Sequence, residues 1–156
     1  MLIVNTGERE GLRLRRMYVR HVSEQRYTEL PYPKDPGFSY HDPVVAGEAP
    51  LLFLSQWESR GGGGFDWRCL LLCELPSLAI RPLLAPHDLV LATGETGKWV
   101  ASLLGASPTG DRLFCSMGRS VVKPDGRGET VTYELCSLDV STRALNVHTV
   151  LGGVFF

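Results

Sequence analysis

An almost purely β fold is what this sequence predicts, and three observations predict it. Apolar residues come in runs of strand length, most of them closed by Gly, Pro, Asp or Ser. Seventeen glycines and ten prolines punctuate the 156-residue chain, as many short strands with tight connections require. The chain also resembles itself, because short apolar segments recur in the same order about 61 to 67 residues apart. Sixteen Lys and Arg against 17 Asp and Glu leave a net charge of −1, which singles out neither nucleic acid nor an anionic membrane as a partner.

Taken in order, residues 1–35 read as half a unit. Leu12 to Val22 and Arg26 to Tyr32 are two strands joined by the turn Ser23-Glu24-Gln25. Residues 36–86 read as a full four-stranded unit. An approach strand leads to the turn Gly47-Glu48-Ala49-Pro50, and the strand Leu51-Leu52-Phe53-Leu54 follows. A long polar loop from Trp57 to Trp67 comes next, then Cys69-Leu70-Leu71-Leu72-Cys73, a tight turn at Pro76-Ser77, and a last strand through Leu78-Ala79-Ile80 to Leu84.

Residues 87–151 repeat the pattern: the turn Pro108-Thr109-Gly110-Asp111, the strand Leu113-Phe114-Cys115, a loop from Arg119 to Glu129, the strand Tyr133-Glu134-Leu135-Cys136, the turn Asp139 to Arg143, and Leu145 to Leu151. Lys98 to Leu104 is the one stretch where a helical turn is expected. Residues 152–156 begin a further strand.

The self-comparison pairs Leu51 to Ser55 with Arg112 to Ser116, Leu72 to Leu75 with Leu135 to Leu138, and Leu78 to Leu84 with Leu145 to Leu151. The hairpin turn before the last strand is then shorter in the first copy than in the second, a change a hairpin tolerates.

The segment Ala106-Ser107-Pro108-Thr109-Gly110-Asp111-Arg112-Leu113-Phe114, followed by Tyr133 to Asp139, resembles the repeat of TolB-type and WD40-like β-propellers. Thr109 stands where that repeat has Asp, and Arg143 where it has a turn-closing Gly. The resemblance covers residues 42 to 151 and implies four-stranded blades, about two and a half of them. The alternative is a compact β-sandwich. Propellers close a ring of blades, so an incomplete set has open edges, and these imply self-association or a protein partner that completes the ring.

Chemistry-bearing patterns are sparse. Gly94-Glu95-Thr96-Gly97-Lys98 is two residues short of a phosphate-binding loop, and Trp99 occupies its hydroxyl position. His21, His41, His87 and His148 are not at metal-ligand spacing. No nucleophile elbow accompanies His41-Asp42 or His87-Asp88. No catalytic residue, metal or cofactor is therefore assigned. Cys69, Cys73, Cys115 and Cys136 are expected to be free core thiols, because the N-terminus lacks the pattern of an export signal. No apolar run approaches the roughly 20 residues that span a bilayer. Cytoplasm is the expected location.

The basic residues from Arg9 to Arg26 are interleaved with Glu8, Glu10, Glu24 and Glu29 and read as a solvated strand face. The two long loops carry the candidate binding residues: Trp57, Arg60 and Trp67 in the first, Arg119, Lys123, Asp125 and Arg127 in the second. Trp and Arg are enriched in binding hot spots, and blades hold such loops rigidly. The expected function is a non-catalytic binding or assembly scaffold that presents its loops to a protein partner. A propeller-type enzyme or a carbohydrate-binding lectin is the alternative.

Overall fold

The structure, a computed structural model, describes residues 2–6, 16–21, 26–31, 33, 35, 37–60, 64–93, 97–122, 126 and 129–155. It is all-β apart from a single short helix among these residues. Three antiparallel sheets are present. The first orders its strands β1 (Leu2–Thr6), β2 (Arg16–His21) and β3 (Arg26–Glu29). The second is the meander β4 (Phe38–Val45), β5 (Leu51–Arg60), β6 (Gly64–Glu74) and β7 (Ala79–Leu84). After the helix α1 (Pro86–Thr93), the third is the meander β8 (Lys98–Ala106), β9 (Arg112–Val122), β10 (Glu129–Asp139) and β11 (Leu145–Phe155).

The middle sheet is covered on both faces. Its Phe53, Leu70, Leu72 and Leu83 pack with Ala101, Leu113, Cys115, Met117 and Leu138 of the third sheet. Its Leu52, Leu54, Cys69, Leu71 and Cys73 pack with Met17 and Val19 of the first. A strand buried on both faces has no polar side to alternate with. That is why Cys69 to Cys73 reads as an unbroken apolar run and why all five residues are buried. The four cysteines are buried and free, and burial holds the Cys115 thiol up at about 12.

The two meanders are built alike down to their turns. Ala46 N–H donates to Leu51 O at 3.1 Å, and Ser107 N–H to Arg112 O at 2.8 Å. Leu75 N–H donates to Pro50 O, and Val140 N–H to Asp111 O, both at 2.9 Å. Both last hairpins close with a bond four residues back, Leu78 N–H to Glu74 O at 2.7 Å and Arg143 N–H to Asp139 O at 2.9 Å. Both closing residues are left-handed, with φ 54° at Leu78 and 61° at Arg143. The sequence comparison shortens the first of these turns, whereas the structure gives the two equal length. Ladder pairing places Leu72 opposite Phe53 and Ser137 opposite Phe114. The position matching Leu72 is therefore Ser137 rather than Leu135, a slip of two residues that keeps every side chain on its face.

Lys98 to Leu104 is strand, not a helical turn, because Trp99, Ala101 and Leu103 alternate inward with period two and are all buried. The helix lies earlier, where Pro86 takes the first helical position and the Asp88 carboxylate accepts from Ala85 N–H at 2.8 Å. This is a start signal that tolerates proline's missing donor. Leu89 on this helix is fully buried in the core. Among the described residues no helix is long and apolar enough to cross a membrane.

The two ends of the stack differ. At one end, Glu48 and Ala49 N–H both donate to Pro108 O, tying the short turn of the middle sheet to that of the third. Asp139 accepts from the backbone of Thr142 and from the hydroxyl and backbone of Ser141. These bonds hold its carboxyl down at about 2. The opposite end carries the longer connections, namely those after β3 and β9 and the helical link into β8, together with the short connection after β5.

Candidate functional site

The first candidate loop is shorter than the sequence predicts, since β5 continues through Trp57 to Arg60 and β6 starts at Gly64. Trp57 and Trp67 are therefore strand residues, directly opposite one another in the ladder. Trp67 points into the core and is 3% exposed. Trp57 is half-buried, and its indole N–H donates at 3.0 Å to Ser55 Oγ, which in turn donates at 3.2 Å to the carbonyl of Ala101 on β8. This chain of bonds joins the middle and third sheets at full burial of Ser55.

Trp99, at the start of β8, enters the same cluster and is 4% exposed. The Arg119 guanidinium lies 5.9 Å from the Trp99 ring centroid, within range of a cation–π contact. Four of the sequence-selected residues, Trp57, Arg60, Trp67 and Arg119, are thus gathered where the two meanders meet. Lys123, Asp125 and Arg127 lie outside the described residues, as do Gly94, Glu95 and Thr96.

Two residues that sequence reasoning missed organise the place. Asp66 has a side chain only 8% exposed, and Lys98 Nζ lies 3.0 Å from its Oδ1. Arg60 forms an ion pair with its other oxygen. Burial alone pulls the Asp66 carboxyl up, but the hydrogen bond and charge of Lys98 and the charge of Arg60 outweigh it, so the net shift is downward. Asp66 is accordingly an ionised anchor at neutral pH and not a proton donor. Its signal in the sequence was an acid beside Trp67, while Lys98 stood inside a failed phosphate-loop pattern.

Around this anchor lies a shallow cleft of about 160 Å³, lined in part by Arg60, Asp66, Trp67, Arg68, Lys98 and Trp99. Arg68 pairs with Glu58 on the neighbouring strand. The indole nitrogens of Trp67 and Trp99 are buried and have no hydrogen-bond partner. Leaving a buried donor unmet costs about 1–3 kcal/mol, so each of these wants an acceptor. The exposed cations of Arg60, Arg68 and Lys98 can hold acceptor-bearing groups, such as carboxylates or peptide carbonyls, at a rigid rim. Neither buried Trp ring is available for stacking a sugar.

No family model matches the chain, and no match is found among curated proteins or solved structures.

Proposed function

We propose that this chain is a non-catalytic binding and assembly module, a stack of β-propeller-like blades that presents its long-connection end to a protein partner. The observation that carries this reading is the Asp66 anchor, fixed between Lys98 of β8 and Arg60 of β5, with these cations and Arg68 exposed around it. Two different sheets contribute, so the rim is held by the core and not by a free loop. The matching turn bonds and left-handed closing residues of the two meanders support the repeated-blade reading, as does the fit of Arg143 to a position that favours glycine. A cytoplasmic location belongs to the same proposal.

The test is site-specific photo-crosslinking in cells. A crosslinker at Arg60 or Arg68 is expected to capture one and the same protein, whereas a crosslinker at Thr142, on the opposite end, captures none. Equal capture from both ends, or none from Arg60 and Arg68, would remove this reading.

A further inference from the structure

The ladder between β5 and β6 sets Glu58 directly opposite Asp66. Like charges in facing positions repel, so this pair needs cations, and it has more than it needs. Asp66 holds both Lys98 and Arg60, and Glu58 holds Arg68. Three cations thus answer two carboxylates. A bulge supplies the third: Trp57 pairs with Trp67 and Gln56 with Cys69, which leaves Arg68 as the extra residue of β6. Bulges re-aim side chains in this way.

The acids lie inside and the cations outside. The Asp66 side chain is 8% exposed and that of Glu58 29%, against 66% for Arg60, 51% for Lys98 and 48% for Arg68. Arg60 meets Asp66 through Nε, and Arg68 meets Glu58 through one terminal nitrogen. A guanidinium has five N–H donors and an ammonium three, so these contacts use a minority of the donors and leave the rest facing outward. Tethering on the inner acids also orders the long cationic side chains in advance, which lowers the cost of ordering them when a ligand binds. Trp67, Trp99 and Pro86 wall the same cleft, and walls of low dielectric strengthen the pull of its cations on an anion.

Charge is sorted between the two ends of the stack. At the short-turn end, Glu48, Glu74, Asp111 and Asp139 outnumber Arg112 and Arg143 among the described residues. At the cleft the excess is of cations. A chain with a net charge of −1 therefore turns a cationic surface outward at the place proposed above for the partner.

We infer that the partner segment bound at this cleft is acidic, and that it sets Asp or Glu carboxylates against Arg60, Arg68 and Lys98. This rests on the binding-module reading above and goes beyond it by naming the chemistry recognised. Crosslinking in cells tests whether a partner sits here, while peptide binding in solution tests what the partner must carry, so each can fail alone.

The experiment is fluorescence polarisation with the full chain and two labelled probes, an oligoglutamate and an oligoserine peptide of equal length. Saturable binding of the oligoglutamate alone is expected, weakening steadily as salt is added because exposed charges are screened. Arg60→Gln and Arg68→Gln should each weaken it about tenfold, the loss of one charge-assisted contact, with an unchanged circular dichroism spectrum. Arg81→Gln, at an exposed position on β7, should leave the affinity as it was. No binding of oligoglutamate at low salt, equal binding of oligoserine, or an affinity indifferent to salt would overturn the inference. Displacement of the probe by inorganic phosphate at equal carboxylate concentration would overturn it too, in favour of a phosphate site. Self-association of the chain that Arg68→Gln abolishes would also overturn it, and would mean that the acidic end of a second copy fills the cleft.

Discussion

Phe53→Ala is expected to lower the free energy of unfolding by about 3–5 kcal/mol, the usual cost of emptying a fully buried phenylalanine site. Phe53 is 0% exposed and sits where the two meanders face one another, among Leu70, Leu72 and Leu113. Neighbouring strands on both sides hold their positions through ladder bonds, so the hole cannot close by collapse. Phe114→Ala removes the same ring from the matching position of the next sheet, yet it is expected to cost only about 1 kcal/mol, because the ring is already partly in water and no cavity forms. Urea unfolding of both variants, at more than one protein concentration to separate any effect on self-association, reads the difference. Equal costs would mean that the third sheet is covered in the same way as the second.

The next largest effect is expected at Gly110, in the turn between β8 and β9. Its φ of 76° is left-handed, and a Cβ there would come within 2.7 Å of Leu51 Cδ1 and 3.2 Å of Ala46 Cβ. Gly110→Ala therefore combines an unfavourable backbone conformation with a clash across the contact between the two meanders. A loss of about 1–3 kcal/mol is expected. Gly105→Ala is the control, since a Cβ there meets nothing within 4 Å, and it should be neutral or slightly stabilising because it narrows the unfolded ensemble. Thermal unfolding of the pair distinguishes them. Equal stability of the two variants would show that the turn is not docked on Ala46 and Leu51.

The all-β class was legible because its signals are local. The unbroken run Cys69 to Cys73 announces a strand buried on both faces, and the turns at Gly47 to Pro50 and Pro108 to Asp111 lie where their residues place them. The helix was misplaced because two signals competed. Lys98-Trp99-Val100 lacks a breaker and looks helical in a short window, whereas Pro86 and Asp88 mark a start only if the capping contact to Ala85 is foreseen. The two-residue slip between Leu72 and its partner escaped for a different reason. Apolar matching cannot distinguish registers that keep the same face, and only the ladder bonds show that Ser137 answers Leu72. The candidate site was half legible: Trp57, Arg60, Trp67 and Arg119 could be chosen by type, but the Asp66–Lys98 pair joins residues 32 positions apart and exists only once β6 and β8 lie side by side.

The claim on which the rest depends is that the middle and third sheets close on each other at the long-connection end, with the tryptophans inside. The chain has three tryptophans, and Trp57, Trp67 and Trp99 all belong to this one cluster, so intrinsic fluorescence reports on this place alone. Acrylamide quenching of the folded chain measures it. The expected result is a blue-shifted emission with a quenching constant several-fold below that of the chain in urea. A constant matching the unfolded chain would show that the rings are in water and that neither the cluster nor the Asp66 anchor beside it forms.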